Sequence, residues 1–127
     1  MKKGMSIAMA FALFLAIPAF AAQNVKIAVA AIDKVPGAAV SGQAALSPYF
    51  LFFDQKGKLL EAVQNPYKDA EGAGPSVIEY LAGKGATVVV AGGFGPKIVD
   101  VMKAKGISPV SFTGSAADAV KKVLQSK

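Results

Sequence analysis

Residues 87–97 read TVVVAGGFGPK, and this stretch decides the fold. Its first half, Thr-Val-Val-Val-Ala, is a short apolar run that is typical of a buried strand. The chain then passes through Gly-Gly-Phe-Gly to Pro96. Proline suits the first turn of a helix because its missing N–H would lack an intrahelical partner there. A strand, a glycine-rich turn and a helix N-terminus in succession predict an α/β domain.

A second element of the same kind lies upstream, where residues 72–76 read GAGPS. It predicts another helix N-terminus with the same Gly-x-Gly-Pro pattern. Glycine allows backbone N–H groups to come close to a molecule above the helix end, where negative charge is favoured. The pair therefore predicts a site for an anionic ligand. The alternative is that both stretches are tight turns without a ligand, because such turns recur in α/β folds.

The elements around these turns follow from the apolar periodicity and the turn residues. A tight turn at residues 55–58 makes the second and third strands an antiparallel hairpin. The expected strands are 25–32, 49–54, 59–64, 87–91 and 107–112, and the expected helices are 75–84, 96–105 and 115–125.

This order predicts a mixed sheet covered by helices. Right-handed crossovers make the third, fourth and fifth strands parallel to one another. All three helix N-termini then lie at one edge of the sheet, and the loop at residues 34–48 leaves from that edge if the first strand is also parallel. Ligands of open α/β sheets bind at this edge.

The N-terminus has the pattern of a secretory signal. Residues 1–3 are basic, residues 7–17 are apolar, and Ala-Phe-Ala at 19–21 fits a cleavage site. We expect residues 1–21 to be a signal peptide and residues 22–127 to form a single domain. The protein is then periplasmic or secreted, with no membrane contact after cleavage. The alternative is a retained anchor, since the uncharged stretch before the domain is long enough to span a bilayer.

Charge and composition exclude several classes of function. The chain has 14 lysines, no arginine and 8 acidic residues, and the lysines are scattered along it. Nucleic acid is therefore not an expected partner. There is no Cys and no His, so the chain has no disulfide, no thiolate or imidazole metal ligand and no histidine-based triad. The expected protein is not an enzyme and has no metal site of its own side chains.

Residues 91–97, AGGFGPK, together with Asn65-Pro66 and the GAGP at 72–75, resemble the dinitrogenase iron–molybdenum cofactor biosynthesis family, which includes NifX-type carriers. The resemblance covers residues 26–124. It implies a ribonuclease-H-like α/β fold, with a mixed five-stranded sheet of order 3-2-1-4-5 and strand 2 antiparallel. It also implies carriage of an iron–molybdenum-type cluster.

The chain departs from the family pattern Ser-x-His-Phe-Gly-x-Ala, because residues 41–47 read SGQAALS. Gln43 stands in the place of the histidine, and a neutral amide binds soft metals poorly. Export is a second departure, since nitrogenase assembly is cytoplasmic. The cofactor therefore stays unknown at this point.

The sequence predicts a non-enzymatic exported carrier that holds a small anionic ligand or a metal complex at glycine-rich helix N-termini. Backbone N–H groups would bind the ligand, and Lys97 would supply a compensating charge. Phe94 is either a core residue or an exposed lid. The alternative function is a ligand-free module on the same fold that binds a protein partner. The candidate ligand-binding residues are Gln43, Gly74, Ser76, Gly92, Gly93, Phe94, Gly95, Lys97, Thr113 and Ser115.

Overall fold

Five strands form one sheet in the order β3-β2-β1-β4-β5. The computed structural model describes residues 25–68 and 72–125, and the predicted signal peptide lies outside the described residues. The strands are β1 (Ile27–Ala31), β2 (Tyr49–Phe53), β3 (Leu59–Gln64), β4 (Val88–Ala91) and β5 (Ser108–Ser111), and the helices are α1 (Gly74–Gly83), α2 (Pro96–Ala104) and α3 (Ala116–Gln125).

The strand directions confirm the topology that the sequence and the family resemblance imply. β2 runs antiparallel to both β1 and β3, while β1, β4 and β5 are parallel. β3 therefore points the same way as β1, β4 and β5. The carboxyl ends of these four strands lie at one edge of the sheet, which we call the carboxyl edge. Each predicted element is found within two residues of its expected bounds, because local periodicity and Gly-Pro signals set those bounds.

The central strand β1 is fully buried along its whole length, and β2 is nearly so. Alternate residues point to opposite faces of the sheet. Phe50 and Phe52 contribute to the core under α1 and α2, while Leu51 and Phe53 contribute to the core under α3. Because helices cover both faces, these strands read as continuous apolar runs rather than as an alternating pattern.

Helices α1 and α2 share one face of the sheet, and α3 packs on the other. The predicted inward residues of α1, Val77, Ile78 and Leu81, are all buried. In α2, Ile98 and Met102 are buried, whereas Val101 is only half-buried. Two helices on one face bring two helix N-termini together at the carboxyl edge. Within residues 25–68 and 72–125, no helix has the length and apolar character that crossing a bilayer requires.

The β2–β3 hairpin turns on Asp54 at the opposite edge of the sheet. Its Oδ1 accepts hydrogen bonds from the backbone N–H of Lys56 and of Lys58, both at 2.9 Å. Gly57 supplies the positive φ of 84° that closes the turn. The Lys58 amide is the main cause that holds the pKa of Asp54 below its usual value of 3.8, and the Lys56 amide and the two lysine charges act in the same direction.

We expect Asp54→Asn to lower the melting temperature at pH 7, because the amide oxygen accepts the two backbone bonds more weakly than a carboxylate does. A lowered pKa in the folded state means that the carboxylate stabilises the fold above pH 3.8, and that this contribution is lost as the pH falls further. The difference between wild type and variant should therefore shrink between pH 5 and pH 2. Thermal unfolding across this range measures it, and a constant difference would contradict the assignment.

Candidate functional site

The β1–β2 loop, residues 32–48, is bonded into the carboxyl edge between β1 and β4. The Ser41 N–H donates to Ala30 O at 2.7 Å, and Ser41 O accepts from the Gly92 N–H at 2.7 Å. The connections of β1 and β4 leave in opposite directions, so this is the crevice where ligands of open α/β sheets bind. Here the chain's own loop occupies the crevice, and any ligand must bind beside it.

Gly92 is a glycine because the loop backbone crosses it. A Cβ atom at this position would lie 2.9 Å from Gly42 Cα and 3.0 Å from Gly42 O. These neighbours are backbone atoms, which cannot rotate away as the end of a side chain can. The Gly92 N–H, predicted as a donor to a ligand, donates to Ser41 O in this structure. Gly92 allows the loop backbone at Gly42 to pack directly against it.

A cavity of about 360 Å³ opens between this loop and the β4–α2 turn, and we call it the loop pocket. One wall is the loop at residues 42–45, and the other is the glycine-rich turn with the first turn of α2. The Ala44 N–H donates to Gly93 O at 3.2 Å and joins the two walls. The pocket is lined by Gly42, Gln43, Ala44, Ala45, Gly93, Phe94, Gly95 and Ile98.

Several of the predicted site residues are brought together here. Gln43, which is exposed, lines the loop pocket with Gly93, Phe94 and Gly95. Phe94 is half-buried and packs against the core under α1 and α2 while it lines the pocket. It is thus part of the core and part of the pocket wall, and the two predicted alternatives are not exclusive.

Gly74 lies behind the pocket rather than in its wall. A Cβ atom there would lie 2.8 Å from Ile98 Cγ1 and 4.0 Å from Ala45 Cβ. The glycine therefore lets the N-terminus of α1 approach the first turn of α2. Ser76 lines a separate, shallow depression with Tyr67 and Tyr80.

Thr113 and Ser115 are not among the residues that line the loop pocket. Ser115 caps α3, because its Oγ accepts the Asp118 N–H at 3.1 Å. The next donors are also used: the amides of Ala116 and Ala117 donate to loop carbonyls at 2.8 and 2.9 Å. The first three amides of α3 thus donate to acceptors within the protein itself. The sequence did indicate the cap, through the Ser and Asp three positions apart.

The N-termini of α1 and α2 differ from that of α3, because neither has a side-chain cap. In α2 the first intrahelical bond runs from the Val99 N–H to Gly95 O, so the amides of Lys97 and Ile98 precede it. Lys97 is exposed in this first turn and is not among the lining residues of the pocket. Its charge and the helix dipole both favour an anion near the pocket mouth.

The loop pocket has no charged side chain in its lining. Across residues 25–68 and 72–125, no group of three or more His, Cys, Asp or Glu residues is placed to hold a metal ion. The pocket offers backbone groups, one primary amide, one aromatic ring and aliphatic surface. This combination can bind and orient a small molecule, and its lining contains no carboxylate or imidazole for proton transfer.

Residues 23–126 match the family model described as dinitrogenase iron-molybdenum cofactor. This chain belongs to that family. The match covers the whole described domain, including both glycine-rich turns and the loop that carries Gln43. No curated protein is significantly similar to the chain.

Solved structures share the fold of this family member. The apo form of the orange protein from Desulfovibrio gigas has a TM-score of 0.74 at 27% identity, over 80% of this chain and 88% of that one. A Thermotoga protein provisionally described as NifB has a TM-score of 0.68 at 28% identity, over 80% and 88% of the two chains. A protein from Methanocaldococcus jannaschii, provisionally described as a dinitrogenase, has a TM-score of 0.56 over 81% and 90%, and at 14% identity it supports the fold alone.

We expect Gly92→Ala to destabilise the protein by about 1–3 kcal/mol, because its new methyl group would push the loop backbone at Gly42 outwards. Gly83→Ala is the matched control. It adds the same methyl group at the end of α1, where nothing lies within 4 Å, and we expect it to stabilise the protein by about 0.5–1 kcal/mol. Urea unfolding of both variants measures the difference. Equal stability of Gly92→Ala and wild type would show that the loop does not pack on Gly92 in solution.

Proposed function

We propose that this protein is a non-enzymatic, exported carrier that holds a small anionic ligand or a preassembled metal complex in the loop pocket. The observation that carries the proposal is the position of the pocket: it lies between two glycine-containing backbone segments, next to the uncapped N-terminus of α2. Membership of a family described by the iron-molybdenum cofactor supports a metal complex as cargo.

The lining favours a large, weakly hydrated anion over a compact oxyanion. Phosphate loses strong hydration on binding, and proteins often compensate with several positively charged donors. The loop pocket has none in its lining, and instead presents Phe94, Ile98 and two alanines beside backbone groups. Sulfur-rich metal complexes are polarisable and accept weak hydrogen bonds, so this lining suits them. A volume of about 360 Å³ accommodates a complex of a few metal atoms.

The metal of the bound complex must already have all its ligands when the complex reaches the protein. The chain has no Cys and no His, and Gln43 is the polar side chain in the pocket lining. Its amide donates hydrogen bonds to anionic sulfur or oxygen, and the amide dipoles at the start of α2 favour the negative charge. Phe94 and Ile98 exclude water from the inner side. The residues thus bind and orient the complex, and its chemistry stays unchanged.

The proposed location outside the cytoplasm rests on the sequence of residues 1–21 and on the scarcity of reactive side chains. A protein without thiols can carry a metal complex through an oxidising compartment with no risk of forming a wrong disulfide. Intact-mass measurement of the protein recovered from the periplasm or the medium would reveal whether residues 1–21 have been removed. An unprocessed chain that stays in the membrane fraction would contradict export.

We predict that the purified protein binds tetrathiomolybdate more tightly than molybdate, and that it does not bind phosphate, because the lining has no positively charged donor. Gln43→Ala should weaken tetrathiomolybdate binding about fivefold, which is the effect of one lost hydrogen bond of about 1 kcal/mol. Isothermal titration calorimetry and the visible spectrum of the bound anion measure both effects.

Gln55→Ala is the matched control, because Gln55 is equally exposed but lies in the hairpin turn at the opposite edge of the sheet. Its affinity should equal that of wild type. An absence of heat and of any spectral change with all three anions would contradict the carrier proposal. Equal losses in Gln43→Ala and Gln55→Ala would remove Gln43 from the site.

A protein-binding module is the second candidate function, and exposed apolar side chains favour it. Ile32, Val35 and Leu46 belong to the β1–β2 loop, and they are 57%, 52% and 55% exposed. Three large, exposed apolar side chains in one loop favour an interaction surface. A triple variant with serine at these positions tests it: a partner that wild type binds and the variant loses would support this function, and a partner that both retain would contradict it.

A further inference from the structure

Asn65 is a buried polar residue at the carboxyl edge, directly after β3, and only 6% of it is exposed. Both the nitrogen and the oxygen of its side-chain amide form hydrogen bonds. Nδ2 donates to Ala45 O at 3.0 Å and to Ser47 O at 2.9 Å, and Oδ1 accepts the Tyr67 N–H at 2.8 Å. The backbone N–H of Asn65 also donates to Pro48 O at 3.0 Å.

These bonds hold the end of the loop-pocket wall. Ala45 lines the pocket, and Ser47 is fully buried two residues further along the chain. The Ser47 hydroxyl lies 2.7 Å from Tyr49 O and 3.1 Å from Ala31 O, which ties the same segment to β1 and β2. The start of the wall is held separately, through the backbone of Ser41 between β1 and β4.

We infer that Asn65 is the positioning residue of the loop pocket, and that it holds the segment carrying Gln43 and Ala45 in its binding conformation before the ligand arrives. This inference rests on the proposed function. Asn65 touches no lining residue except Ala45 through these bonds, so it acts through the loop and not on the ligand.

Asparagine is the side chain whose size and donors match this task. A neutral amide offers two N–H donors on one nitrogen and an acceptor oxygen on the same short stem. Aspartate has nearly the same shape but has no donor when ionised, so its negative charge would face the carbonyl oxygens of Ala45 and Ser47. Serine has one donor only, and glutamine is longer by a methylene group.

A loop that is held in place before binding avoids the cost of ordering on binding. If Asn65 loses its donors, the carbonyls of Ala45 and Ser47 are left without partners, and the segment relaxes to recover hydrogen bonds with water. The pocket then exists for only a fraction of the time, and the apparent affinity falls by that fraction.

The test uses Asn65→Asp in the full protein, with Asn65→Ala as a second variant that carries no charge. Val120→Ala is the control, because Val120 is buried in α3 on the other face of the sheet and its truncation lowers stability away from the pocket wall at residues 42–45. The first measurement is amide hydrogen exchange at Ala44, whose N–H donates to Gly93 O across the pocket. The second is the affinity for tetrathiomolybdate.

We expect the Asn65 variants to exchange the Ala44 amide at least tenfold faster than wild type, while the β4 amides change only as much as in Val120→Ala. Tetrathiomolybdate affinity should fall about tenfold to thirtyfold, which is the effect of two lost hydrogen bonds of about 1 kcal/mol each.

If wild type does not bind the probe but Ala44 exchange still rises, the carrier proposal fails and the positioning role stands. Unchanged exchange at Ala44 in a folded Asn65 variant would overturn the positioning role. The positioning role would also be overturned if the Asn65 variants lost no more affinity and no more exchange protection at Ala44 than Val120→Ala does.

Discussion

The backbone of Ser41 joins the carboxyl ends of two parallel strands, and the pocket depends on this connection. Its N–H donates to Ala30 in β1 and its carbonyl accepts from Gly92 after β4, both at 2.7 Å. The loop can come this close because Gly92 has no side chain. The crevice that opens between such strands in other α/β sheets is therefore closed by the chain itself. The cavity lies beside it, against the first turn of α2, where Phe94 and Ile98 supply an apolar wall.

The two faces of the sheet use their helix N-termini differently. On one face, the β1–β2 loop and Ser115 accept the first three amide donors of α3, so this helix end is structurally complete. On the other face, α1 and α2 begin with proline in the first turn and have no side-chain cap. One loop thus satisfies one helix end and forms the pocket wall beside another. The uncapped donors and the cavity lie on the same side of the sheet as a result.

Gln43 stands where the family resemblance implies a histidine, and this is consistent with the arrangement of the site. An imidazole binds a metal directly, whereas an amide donates hydrogen bonds to the atoms that surround a metal. Under the proposed function, a chain with no histidine or cysteine would select its cargo by shape, by backbone groups and by the position of one amide. The hydrogen bonds of Asn65 and Ser47 matter for this reason, since a site without strong ligands depends on walls that are already in place.

The order and type of all eight elements and the mixed sheet could be predicted from the sequence, as could the edge at which the candidate site lies. Apolar periodicity and Gly-Pro turns are local signals, and β4 with the turn at Gly93 and Gly95 is contiguous in the chain. The tertiary structure decided which glycine packs and which lines a cavity, because Gly92 meets Gly42 from fifty residues away. It also decided that loop carbonyls accept the amides of Ala116 and Ala117, and that Asn65 holds Ala45. No local pattern predicts such bonds, since each depends on which distant carbonyl the fold brings within 3 Å of a donor.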